Sequence, residues 1–307
     1  MAREQMGVCA EGNLHGLYLL FDCHEGNEVA IRSQLAEIST YLDESSELYC
    51  DVAFSGFIAI GANYWSALYG ESAPALLRPF PSLSSDDRAA PANPYDLFIH
   101  IRCDRADINH LIGREICLML EDLAALVEQI NGFRYFDNRD LTGFVDGTEN
   151  PKGLRRHEVA LVGREDNQFR GGSYIHIQRY RHDLKRWNGL RVKQQEDIIG
   201  RTKEDNQEYT SFNQPQTAHI RRAAIKDAKG NTLEILRQSM PYGDMQEQGL
   251  FFISCCATPL HFELMLRSMM VSDHKGHYDH LLDYTQAMTG AAFFAPSTPF
   301  LMSQGRI

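Results

Sequence analysis

The sequence predicts an α+β protein built from two related modules, each an antiparallel sheet with helices on one face. Three observations carry that expectation. Four short apolar runs are each followed closely by a helix-period pattern, two in each half of the chain. Two further strand-like runs, CDVAFSGFIAIG (50–61) and TLEILRQSM (232–240), add one strand to each half. Finally, 307 residues at 43% hydrophobic content suffice for two ordinary cores.

The elements follow in order. HGLYLLFDC (15–23) reads as a strand and NEVAIRSQLAEISTYL after it as a helix. YDLFIHIRCD (95–104) is a second strand, followed by one long helix from about Asp107 to Ile130. Its buried face is marked by Ile108, Ile112, Ile116, Leu120, Leu123 and Val127 at three- and four-residue steps. Asp104 or Asp107 is placed to cap its start and Asn131-Gly132 to stop it. In the second half GGSYIHIQRY (171–180) precedes HDLKRWNGL, and GLFFISCCA (249–257) precedes PLHFELMLRSMM. The joint is expected between residues 135 and 155, giving modules of residues 1–140 and 141–307.

Charge and composition narrow the partners. A formal net charge of −11 repels phosphate backbones, so neither nucleic acid nor an anionic membrane is expected. The N-terminus lacks the apolar stretch of a signal peptide, and the longest apolar runs fall well short of a membrane span. Seven cysteines without a C-x-x-C pair exclude zinc-ribbon, thioredoxin and covalent c-type haem signatures. A reducing cytoplasm is the expected location.

Three stretches carry candidate chemistry. GFVDGTENP (143–151) sets Asp146 between glycines, where a short acid can approach a ligand without backbone collision. In TLEILRQSMPYG (232–243), period-two alternation puts Ile235, Arg237 and Ser239 on one face and Leu236 and Gln238 on the other. Arginine among apolar neighbours is either an exposed edge residue or a guanidinium paired with a carboxylate or waiting for an anion. NQPQTAHIRRAAIKD (213–227) holds one histidine, His219, and a basic pair. HKGHYDH (274–280) has histidines spaced by three, a zinc-compatible spacing. Its glycine and polar setting favour a solvated loop.

Taken together, GFVDGTENP, the later AHIRR, EILRQSMPYG and the terminal DHLLDYTQAMTGAAFFAPS (279–297) resemble the dye-decolourising peroxidase family of haem enzymes, in its compact bacterial class B/P branch. The resemblance runs over most of the chain, with its motifs in order. It implies two ferredoxin-like modules of the dimeric α+β barrel type and one non-covalent haem b per chain. It further implies His219 as the iron ligand, Asp146 and Arg237 as the distal acid and arginine, and Ser239 beside Arg237.

On the same analogy the cofactor-binding set includes Gly147, Thr148 and Arg201, with Arg201 ahead of Arg221 and Arg222 as a propionate partner. Leu250, Phe251 and Phe252 form the apolar wall. The far nitrogen of His219 is expected to meet Asp283, in preference to Asp279. The implied activity is reduction of hydrogen peroxide and one-electron oxidation of organic donors such as dyes, through a ferryl intermediate, in a homodimer or larger homo-oligomer. Surface Tyr or Trp residues are candidates to relay electrons, with no route singled out. Two other readings stay open at this point. One is a haem protein for storage, transfer or iron release, with incidental peroxidase activity. The other is a haem-free enzyme using Asp146 and Arg237 on an anionic substrate.

Overall fold

The computed structural model describes residues 3–305. The first half lays down β1 (His15–Cys23), α1 (Glu28–Leu48), β2 (Ser55–Gly61), α2 (Trp65–Tyr69) and a small hairpin of β3 (Leu83–Ser85) and β4 (Arg88–Ala90). It closes with β5 (Leu97–Cys103), α3 (Ala106–Leu120) and β6 (Ala124–Phe133). The second half contains α4 (Arg155–Ala160), β7 (Ser173–His182), α5 (Leu184–Asn188), α6 (Val192–Ile199) and α7 (His219–Ala223). After these come β8 (Leu236–Arg237), β9 (Met240–Gly243), β10 (Gln248–Cys256), α8 (Pro259–Met270), β11 (Thr285–Ala295) and α9 (Thr298–Gln304).

The strand order is β7-β11-β2-β5-β1-β6-β9-β10-β8, and β7 also pairs with β10. Eight strands therefore close into a ring, with β8 hung on β10. Within it, β2-β5-β1-β6 and β11-β7-β10-β9 have the same order, the antiparallel arrangement of a ferredoxin-like unit in each half. Long registers hold each half together, such as seven pairs between β1 and β5 and eight between β10 and β7. The seams are short: Gly132 opposite Tyr242 on one side, Phe293 and Phe294 opposite Gly61 and Ile60 on the other.

Alternation along the strands sorts two cores. Tyr18, Leu20, Phe57, Phe98, Ile177 and Phe251 point into the ring, where Tyr18 and Phe251 stack at 4.3 Å. Leu17, Leu19, Ile58, Ile99 and Ile101 point outward against the apolar faces of α1 and α3. At about 25 cal/mol per Å² of apolar surface, each such buried aliphatic side chain contributes roughly 1.5–3 kcal/mol.

Two expectations need correction. The long helix from Asp107 ends at Leu120, and Leu123 to Ile130 belongs to a turn and β6, paired with β1 from end to end. The apolar positions 123, 127 and 130 fit a helical stripe, but β1 offers a free edge, and pairing overrides the local pattern. Asn131 and Gly132 consequently lie inside a strand. Nor does either aspartate cap α3: Asp104 accepts the N–H of Leu14, and Asp107 pairs with Arg105. The strand expected over residues 232–240 is also shorter: only Leu236 and Arg237 form β8, the ladder is interrupted at Gln238-Ser239, and Met240–Gly243 form β9. None of the seven cysteines is bonded to another, and no described helix is long and apolar enough to cross a membrane.

Candidate active site

On the outer face of the second half, the strands carry Gln178, Tyr180 and His182 from β7, Arg237 from β8, and Leu250 and Phe252 from β10. These border a cavity with about 1040 Å³ of empty space including its mouth. Helix α8 covers one side with Phe262, Leu266 and Met269, while α7 brings His219 and the loop before α4 brings Phe144, Val145 and Asp146. Most of the wall is carbon, as in pockets that hold flat organic groups.

His219 begins α7, a single turn braced by Arg222, which donates to the carbonyls of Ser268 and Val271. Its Nδ1 lies 2.6 Å from Oδ2 of Asp279, which is fully buried and accepts the N–H of Leu281 on its other oxygen. A buried carboxylate there fixes the tautomer with hydrogen on Nδ1. Nε2 has no protein partner among the described residues, and the ring lines the cavity. Burial pushes the imidazole towards its neutral form, but the charge and hydrogen bond of Asp279 outweigh it. Arg237 lowers and Asp146 raises its proton affinity by smaller amounts, and the net shift is upward.

Asp146 is held by its loop. Phe144, packed on Trp187 and Ile199, anchors the loop to the protein, and the indole N–H of Trp187 donates to the carbonyl of Thr142 at 2.8 Å. Beneath it Asp140 accepts from Thr142 and faces His182 at 3.2 Å. Burial pushes Asp140 up, yet the charge and hydrogen bond of His182, with two bonds from Thr142, bring it down to about 2. The Asp146 backbone N–H donates to the Asn138 carbonyl at 2.9 Å, and Gly147 (φ +75°) donates its N–H to Asp146 Oδ1 at 2.7 Å. Oδ2 is left to the cavity.

The alternation expected for residues 235–239 holds: Ile235, Arg237 and Ser239 line the cavity, Leu236 is in the core, and Gln238 is buried against the carbonyls of Gly7 and Val8. The Arg237 guanidinium makes no protein hydrogen bond or ion pair among the described residues; its backbone, by contrast, is clamped. Asn150 donates to the Arg237 carbonyl at 2.7 Å and accepts the Arg237 N–H at 2.8 Å. Ser239 Oγ accepts the N–H of Ile253 at 3.2 Å, replacing a ladder bond where the strand is interrupted.

Not every expected site residue converges on this cavity. Asp283 is not the partner of His219: it accepts the hydroxyl of Tyr278 at 3.0 Å and lines a separate cleft, because the short turn His280–Asp283 directs Asp279, not Asp283, towards α7. Phe251 points into the ring core, as alternation with Leu250 and Phe252 requires. Arg201 is outside the cavity wall, bound to Asn206 and paired with Glu149 and Glu208. Gly147 lines a neighbouring cavity, and Thr148 accepts a hydrogen bond from Asn206 at 3.0 Å. Arg221 and Arg222 are spent on backbone carbonyls. The spaced histidines of HKGHYDH build no metal site, and no group of three or more His, Cys, Asp or Glu side chains among the described residues could hold a metal ion.

A closed α+β ring with one free, carboxylate-oriented imidazole in an apolar slot, faced by an acid and an uncommitted guanidinium, defines an enzyme built around a planar cofactor with one protein ligand. Comparison with known proteins makes the class particular. The chain belongs to the Dyp-type peroxidase family, matching the model of its N-terminal part over residues 5–134 and of its C-terminal part over residues 137–300. It is 37% identical to the dye-decolorizing peroxidase of Rhodococcus erythropolis over 93% of this chain and 84% of that protein. A crystal structure from Shewanella oneidensis assigned to the Dyp type is 58% identical with a TM-score of 0.98, covering 99% of both chains. An arginine-to-leucine variant of DypB from Rhodococcus jostii RHA1, solved in complex with heme, is 37% identical with a TM-score of 0.93, covering 98% of this chain and 99% of that one.

Proposed function

We propose that this chain is a haem peroxidase that reduces hydrogen peroxide and oxidises small organic donors in one-electron steps, with one non-covalent haem b in the cavity described. The observation that carries the reading is His219: its Nδ1 is tied to buried Asp279, while Asp146 and Arg237 share the same cavity wall. The donor set fits a porphyrin. One neutral imidazole nitrogen is what a peroxidase-type haem takes from the protein, and the carbon-rich walls suit the ring.

When bound, the ferric haem supplies an open coordination position for peroxide and stores its oxidising equivalents. His219 is the ligand, and Asp279 raises its basicity by holding Nδ1–H. Asp146 moves the proton: Oδ1 is occupied by the Gly147 N–H, so Oδ2 takes the proton from the near peroxide oxygen and returns it to the far one. Arg237 presents its donors to the negative charge that gathers on the departing oxygen. Ser239 supports this wall chiefly by keeping the interrupted strand in register. Leu250 and Phe252 exclude water. A protein that only carried haem would have no use for an acid and an unpaired guanidinium at this place.

We further take residues 1–140 and 141–307 as the two modules, a homodimer or larger assembly as the working form, and the cytoplasm as its compartment. The deciding experiment is an absorption spectrum of the protein as isolated or supplied with haem. It should show a Soret band that His219→Ala abolishes or strongly alters; an unchanged spectrum in the variant would remove His219 from the iron.

A further inference from the structure

A second cavity, likewise with about 1040 Å³ of empty space including its mouth, lies beside the first and shares Asp146, Arg237 and Ser239 with it, so these three form the partition between the two. Its charge is opposite to that of the chain, whose formal net charge is −11. Six cationic side chains line it, from Arg102, Arg134, Arg139, Lys152, Arg156 and Arg237, against two acids, Glu11 and Asp146.

Pairing inside the protein accounts for only part of this excess. Arg139 meets Asp137 at 2.9 Å, and Arg156 meets Glu11 at 3.5 Å while donating to the carbonyls of Cys9 and Ala10. Arg134 and Lys152 have no ion-pair partner among the described residues, and both are exposed. Arg102 is the telling one. Only 5% exposed, it makes one side-chain hydrogen bond, to Gln238 at 2.9 Å, and its Nε has no partner. A buried guanidinium without a carboxylate is costly unless an anion completes it. Burial accordingly weakens its hold on its proton.

We infer that this cavity is an anion-binding vestibule for a small oxyanion or carboxylate, drawn in by Arg134 and Lys152 at its exposed rim and seated against Arg102. The site does not depend on a cofactor. Its function follows from the shared partition: an anion held there sits next to the groups that serve the first cavity, so small anionic donors or effectors reach Asp146 and Arg237 from this side.

The test uses the purified full chain, with whatever cofactor it carries, titrated with inorganic phosphate at low ionic strength by calorimetry. One saturable site is expected, with affinity falling as sodium chloride is added. The double variant R134Q/K152Q should bind phosphate roughly tenfold more weakly, as the loss of two exposed charges allows. K229Q, an exposed charge in a distant turn, should bind as the parent does. Absence of saturable binding, or equal weakening by R134Q/K152Q and K229Q, would overturn the inference. Because the readout is binding of phosphate, neither result bears on whether haem is held by His219.

Discussion

Asn150→Ala is the sharpest perturbation available, because it alters Arg237, the proposed distal arginine, without touching its side chain. Strand β8 is the free edge of the sheet beyond β10, and an edge strand leaves backbone groups unpaired. Asn150 covers that edge as another strand would, with one donor at 2.7 Å and one acceptor at 2.8 Å on the same residue, Arg237. Each bond is part-buried and each is worth about 0.5–1.5 kcal/mol net, so the alanine variant should lose about 1–3 kcal/mol of stability.

The functional loss should exceed the structural one. With its backbone released, Arg237 can drift, and a displacement of about 1 Å in a positioned group can cost on the order of 100-fold in rate. We expect the haem-loaded variant to bind cofactor with an unchanged Soret band. After rapid mixing with peroxide, its spectral change should be slower by about tenfold or more. A double-mutant cycle separates this from general damage: in an Arg237→Leu background, Asn150→Ala should slow the reaction no further. Full reaction speed in Asn150→Ala, or equal slowing in both backgrounds, would refute the clamp.

Other expectations follow from the same geometry. Arg237→Leu should keep the haem but slow its reaction with peroxide by about 10²–10³-fold, the usual cost of removing one donor to a developing oxyanion; stopped-flow absorbance checks it. Asp279→Asn replaces the carboxylate that accepts Nδ1–H of His219 by a neutral amide and should weaken cofactor affinity by about 10–100-fold and raise the iron reduction potential, read by haem transfer to an apo acceptor and by spectroelectrochemistry. Acid stability should report on Asp140. Its folded value, about 2, lies below the ordinary 3.8, so the unfolded chain binds the proton more readily. The stabilisation is complete above pH 3.8 and drains away as pH falls towards 2, a loss on the order of 2 kcal/mol. Urea titrations across that window should show it, and Asp140→Asn should flatten the dependence.

The sequence exposed some of this site and hid the rest for physical reasons. Alternation is local, so the common face of residues 235, 237 and 239 is legible in one strand, as are the opposed directions of Phe251 and Phe252. The order GFVDGTENP, AHIRR, EILRQSMPYG pointed to a shared site by resemblance alone. Contacts between segments were less visible. Asp279 and Asp283 stand four residues apart in one acidic turn, and only the docking of that turn on α7 selects the first. Asn150 precedes a proline and reads as a turn residue; nothing local announces that it will pair with a strand 87 positions later. The strand at 124–133 was masked by apolar spacing that suits either element, and its partner β1 lies more than a hundred residues upstream.

The placement of the cavity follows from what the two halves do with one shared design. In the first half the outward strand positions are aliphatic, Leu17, Leu19, Ile58, Ile99 and Ile101, and α1 and α3 pack directly onto them. In the second half outward positions carry Gln178, Tyr180, His182, Arg237 and Ser239, which cannot be covered by a helix without stranding polar groups. α8 therefore packs only at one side, through Phe262 and Leu266, and the short α7 stands off at the other. The gap is the site. Filling it by aliphatic substitution at residues 178 and 180 would let the second half imitate the first, and the polar face is accordingly a cost in packing that the protein bears for a bound group.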